Sequence, residues 1–118
     1  MALAQFPAPG ESELATIVLV MTHPPDQCPA ANSTIRKLSA NTASEFPKLA
    51  KKHGIRFTAG PLATNEHRMF AFVEAEKIES INDFLIDSAL LQWNSIEMIP
   101  GQPVESGLKE IEKLKPIY

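Results

Sequence analysis

The chain has 118 residues, one domain's worth, and its 44% hydrophobic and 21% charged residues are ordinary for a soluble globular domain. A net charge of −3, with no Lys/Arg cluster interleaved with aromatics, argues against a nucleic-acid partner. The single cysteine, Cys28, excludes an intramolecular disulfide, and the longest apolar run, Ile17 to Met21, is far short of the ~20 residues of a spanning helix. No positively charged region precedes that run and no clear cleavage site follows it. The expectation is a small soluble protein of the cytoplasm, with no signal peptide and no membrane association.

Residues 1–15 contain Pro7, Pro9 and Gly10 without periodicity and read as a flexible lead-in. A single domain over 16–118 follows. Thr16 to Thr22 is β-branched and continuously apolar at its centre, the pattern of a strand covered on both faces. It stops at His23-Pro24-Pro25, because proline cannot donate to a ladder. The loop Asp26-Gln27-Cys28-Pro29 leads to a helix that opens near Asn32 or Ser33, both good N-caps. Ile35, Leu38, Thr42, Phe46 and Leu49 form its apolar stripe, with Arg36, Lys37, Lys48, Lys51 and Lys52 outside. Pro47 must kink this helix or start a second one near Glu45. Gly54 stops it after Lys51-Lys52-His53.

Ile55 to Ala63 reads as a second strand, irregular around Gly60-Pro61. After the turn Thr64-Asn65-Glu66, His67 opens a third strand through Val73. Ser80 to Leu91 is a second amphipathic helix with Ile81, Phe84, Leu85 and Ala89 apolar. Trp93 to Ile99 gives a fourth strand, closed by Pro100-Gly101, and Leu108, Ile111 and Leu114 mark a short final helix.

The order β-α-β-β-α-β with a C-terminal helix is the ferredoxin-like α+β arrangement, an antiparallel four-stranded sheet in spatial order 4-1-3-2. Helices cover one face of such a sheet. A solvated second face would show strict alternation, which the first and third strands lack. The simplest cover is a second copy, so a homodimer is expected. The two-sided strands and the tail helix resemble the dimeric α+β barrel superfamily. More narrowly, His23-Pro24-x-x-x-Cys28-Pro29, then Lys52-His53-Gly54-Ile55, then Glu66-His67 leading into Phe72-Val73-Glu74-Ala75 is similar to a small family within it, over about residues 16–112. The superfamily holds cofactor-free monooxygenases, muconolactone isomerases, chlorite-dismutase-like haem proteins and stress-responsive barrels. The resemblance therefore implies a fold and leaves the activity open.

Chemistry concentrates at one end of the expected sheet. Antiparallel pairing of strands one and three brings His23, which closes the first, beside His67, which opens the third. Cys28 lies five residues after His23, in a loop stiffened by Pro24, Pro25 and Pro29. Two imidazoles and a thiolate suit a zinc or copper ion and leave a position open. Iron more often takes two histidines and a carboxylate, for which Asp26 or Glu66 would have to join. A cysteine ahead of a helix, with His23 as base, could instead act as a nucleophile. The plainer readings are a strand-end histidine bonded to backbone and a cysteine serving as a small hydrophobe.

His53 reads as a helix C-cap, Trp93 as a core anchor, and Lys48, Lys51 and Lys52 as a solvated face. Glu74 and Glu76 receive no chemistry. No phosphate-cradling glycine loop implies a nucleotide cofactor, and no G-x-S-x-G elbow supports a hydrolase. The residues thus point first to a metal-binding barrel with His23, Cys28 and His67 as ligands. The alternatives are a metal-free barrel enzyme of the monooxygenase or isomerase kind on a small organic molecule, or a non-catalytic ligand-binding stress protein.

Overall fold

A computed structural model describes residues 14–118. The lead-in expected over 1–15 lies outside the described residues up to residue 13, and strand β1 runs from Ala15 to Thr22. Then follow α1 (Ser33–Ala43), α2 (Phe46–Lys52), β2 (Ile55–Ala63) and β3 (Arg68–Ala75). The chain continues through α3 (Ile78–Asp87), α4 (Leu90–Trp93), β4 (Ser95–Gly101) and α5 (Val104–Ile111). One four-stranded sheet has the order β2-β3-β1-β4, with every neighbouring pair antiparallel. Seen from the opposite edge this is the expected succession 4-1-3-2. Among the described residues, no helix is long and apolar enough to cross a membrane.

Alternation along β1 sorts its side chains between two environments. Ile17, Leu19 and Met21 enter the core, where they meet Val73 of β3 and Ile81, Phe84 and Leu85 of α3. Full burial of one such aliphatic or aromatic side chain stabilises by about 1.5–3 kcal/mol. Phe84 anchors the layer, with the rings of Phe46 and Phe57 edge-on at 6.0 and 5.5 Å. The alternate residues Val18 and Val20 pair across the ladder with Phe72 and Phe70, and none of the four belongs to that core cluster, although Val20 is itself buried. Phe72 is 46% and Ile99 43% exposed.

The long first helix divides at Pro47, which occupies the first turn of α2, one of the two outcomes open to it. Two expected boundaries are corrected. The helix expected over Ser80–Leu91 ends as α3 at Asp87, because Ala89 takes a left-handed conformation (φ 64°) that redirects the chain into α4. Trp93 consequently closes α4 and is not the start of the fourth strand, which begins at Ser95. Strand β2 is irregular where expected, its register slipping between Phe57 and Leu62. At Gly60 (φ 82°) a Cβ would stand 2.5 Å from the Phe70 carbonyl oxygen, so no side chain fits.

Candidate metal centre

His23 follows the last residue of β1 and continues its alternation, so its ring turns to the helix-covered face and is buried. Since Thr22 pairs with Arg68 on one side and Ser95 on the other, the next positions along the ladder are His67 and Asn94. The His23 N–H donates to the His67 carbonyl at 3.1 Å, which extends the ladder by one rung. The imidazole is edge-on to that of His67, with centroids 5.4 Å apart. On its other side lies the Trp93 indole, at 5.0 Å.

His67 is placed by a three-residue hairpin loop. The Thr64 N–H donates to the Arg68 carbonyl, and the Glu66 N–H to the Thr64 hydroxyl. Such loops put their third residue in the left-handed region, where glycine is preferred. Here that residue is His67, with φ 61°. It therefore lies one position before β3, not inside the strand as its first residue. A side chain bears a cost there of roughly 1–2 kcal/mol. This left-handed residue is also the one whose ring lies edge-on to that of His23.

Cys28 is delivered by a loop bound to α1 at several points. The Cys28 carbonyl accepts from Ala31 and Asn32 N–H, and the Asn32 side chain both caps α1 through Ile35 N–H and donates to the Asp26 carbonyl. Arg36 had been expected only on a solvated face. It is exposed, yet its guanidinium donates to the carbonyls of Pro29 (2.8 Å) and Ala30 (2.7 Å) and clamps the loop. The Ala30 N–H points at Cys28 Sγ at 3.4 Å, so the sulfur is already used as an acceptor.

These elements bring all three ligands expected from sequence together. One donor atom each from His23, Cys28 and His67 lies within 4.8 Å of the other two. Neighbouring donors on a tetrahedral zinc stand about 3.3–3.6 Å apart, given bonds of roughly 2.0–2.3 Å. Cys28 and His67 are half-buried, so it is their side chains that would have to turn for an ion to bind. Neither Asp26 nor Glu66 belongs to the group, so the two-histidine, one-carboxylate set typical of iron does not form. Cys28 lies five residues ahead of Ser33, beyond the one turn over which a helix terminus acts strongly, which weakens the nucleophile reading.

Asn94, which carried no signal by itself in the sequence, decides the chemistry of His23. Its Nδ2 donates to the Leu90 carbonyl at 3.0 Å, so its Oδ1 faces the imidazole. Across 3.1 Å that oxygen can only accept, so the His23 nitrogen facing it is Nδ1–H, and in the neutral ring Nε2 is then the nitrogen without a proton. Nε2 is buried with no hydrogen-bond partner. Buried acceptors of this kind are rare and call for an explanation. A ligating histidine whose other nitrogen donates to an oxygen is the usual arrangement around a bound metal. The signal was the register: a residue opposite a strand-end histidine is its cross-strand neighbour.

The other residues singled out in the sequence do not join this site. His53 caps α2 as expected, and its Nε2 lies 2.7 Å from Asp87 Oδ2 on α3. Glu74 is buried and ion-paired with Arg56 at 3.2 Å. Compared with family models and with curated proteins, the chain matches none.

Proposed function

We propose that the protein is a metal-binding α+β barrel whose His23, Cys28 and His67 hold a zinc or copper ion at one end of the sheet. Two observations carry this reading together: one donor atom each of His23, Cys28 and His67 lies within 4.8 Å of the other two, and His23 Nε2 is buried with no hydrogen-bond partner. His23 forms the floor of the site, while Cys28 and His67 are half-buried at its rim. An ion held there by three protein ligands keeps a fourth position open. Elemental analysis of protein purified without an affinity tag is the test. The expected result is one ion per chain, native or after addition of Zn²⁺ or Cu⁺. Metal below about 0.1 per chain, with no uptake of either ion, overturns the proposal.

In the same reading the fold is ferredoxin-like and the assembly a homodimer of the dimeric α+β barrel type. Support comes from the sheet face opposite the core, where Phe72 and Ile99 are exposed beside the partly exposed Val18 and Phe70, and from α5, whose Val104, Leu108 and Ile111 are all more than half exposed. Apolar surfaces of this sort mark contact sites. Light scattering should give twice the 13.0 kDa chain mass at micromolar concentration. A stable monomer removes the dimer and leaves the metal site standing.

One observation favours a ligand-binding alternative. A cavity of about 310 Å³ opens between α2 and β2, lined by Phe46, Pro47, Ala50, Phe57, Gly60 and Pro61. This is the low end of small-molecule pocket sizes. The lining has no acid, base or nucleophile, which supports binding of an apolar molecule there and not its chemical conversion. Calorimetric titration with naphthalene-sized aromatics tests this independently of metal.

A further inference from the structure

Trp93 contributes a second buried orphan beside the metal centre. Its side chain is 7% exposed, and its Nε1–H, like His23 Nε2, has no partner. The two rings touch, yet the indole donor and the imidazole acceptor are not bonded to each other. Indole N–H is a donor only, so what it lacks is an acceptor. Once an ion occupies His23 Nε2, that lone pair is consumed and cannot serve the indole. No fourth His, Cys, Asp or Glu joins the three-donor group among the described residues, so no protein carboxylate supplies the acceptor through the ion.

Charge identifies the missing group. A divalent ion with one thiolate and two neutral imidazoles carries a net charge of +1, and such a charge beside a buried floor is costly unless it is neutralised. We propose that the open position of the divalent ion takes a compact monoanion, which completes the coordination and accepts the Trp93 Nε1–H. The inference rests on the metal reading and goes beyond it, because it assigns the exogenous ligand's charge and size and names Trp93 as a positioning residue. A neutral occupant would leave the +1 charge unneutralised.

The chain has one tryptophan, so its indole N–H gives a single resonance. With ¹⁵N-labelled, Zn²⁺-loaded protein, sodium azide should shift that resonance downfield and saturably, and should leave it in place when zinc is absent. With Co²⁺ in place of zinc, Trp93→Phe should bind the ion within about three-fold of wild type, while azide binding read in the visible spectrum weakens about ten-fold, the size of one hydrogen bond to an anion. A zinc-loaded protein whose indole resonance ignores azide overturns the proposal and leaves the metal reading intact, as does unchanged azide affinity in Trp93→Phe. Should that variant fail to fold, the wild-type resonance decides alone. Failure to take up any Zn²⁺ or Co²⁺ is a different result: it removes the divalent-ion site and this inference with it, and leaves Cu⁺ uptake to decide the metal reading.

Discussion

Two histidines of this chain make similar contacts and receive opposite roles. His53 Nε2 meets the Asp87 carboxylate at 2.7 Å and so ties the end of α2 to the end of α3. His23 spends Nδ1 on the amide oxygen of Asn94 and keeps Nε2 buried and unpaired. The first nitrogen is answered by the protein itself; the second has no partner among the described residues. The lesson is that a histidine's role is read from the nitrogen its neighbours leave over, because a buried polar atom without a partner costs about 1–3 kcal/mol and calls for an explanation.

The sharpest way to break this contrast is to remove each ring. His23→Ala should lower Zn²⁺ affinity at least about a hundred-fold, since only two protein ligands remain. His53→Ala should leave it unchanged. Competition with a chromophoric chelator measures both. Equal losses in the two variants would mean that metal uptake is adventitious, and that the leftover nitrogen of His23 is not what binds.

Asn94 sharpens the comparison, because the contrast depends on which nitrogen is left. Asn94→Leu removes the acceptor that holds the proton on Nδ1, and should weaken Zn²⁺ binding about ten- to a hundred-fold, the usual effect of losing a partner behind a ligand. The fold should survive, although the Leu90 carbonyl loses a donor. Undiminished affinity would show that the amide does not select the tautomer.

His23, Cys28 and His67 were legible as a group because antiparallel neighbours put the end of one strand beside the start of the next. Strand β1 carried its own evidence in an unbroken apolar run, and Pro47 announced a break in the first helix. The redirection at Ala89 left no such trace. Alanine is the best helix former, and nothing local marks it as the residue that takes a left-handed conformation. The misplacement of Trp93 in a strand follows from that one residue. Asn94 and Arg36 were missed for another reason. Asn94 acts through one hydrogen bond to the ring and Arg36 through two to loop carbonyls, and such contacts exist only once the register and the loop path are known.

His67 offers a way to separate site from scaffold. Its left-handed backbone suits glycine, so His67→Gly removes a ligand and relieves strain together. The unfolding free energy of the metal-free protein should rise by up to about 1 kcal/mol in a urea titration, the cost of the side chain less the added chain entropy of glycine. Zinc should no longer stabilise the variant as it does wild type. A clear loss of stability in the metal-free variant would mean that the His67 ring supports the fold, and that the strain reflects packing and not function.

The smallest effect belongs to the histidine that the protein answers itself. The hydrogen bond from His53, with the nearby Lys52 charge helping, holds the Asp87 carboxyl below its ordinary value of 3.8 against a partial desolvation that opposes it. A carboxylate depressed in this way contributes stability above its unfolded-state value and loses it as pH falls through the lowered folded value. Asp87→Asn should therefore be slightly less stable than wild type at pH 5, and the gap should close as pH falls below about 4 towards 2. The tie lies at the surface, so added salt should shrink the gap at pH 5 as well. Melting temperatures of the two proteins across that range give the answer. A gap that widens as the pH falls has the wrong sign for a depressed carboxylate, and would mean that Asp87 is held by something other than His53 and Lys52.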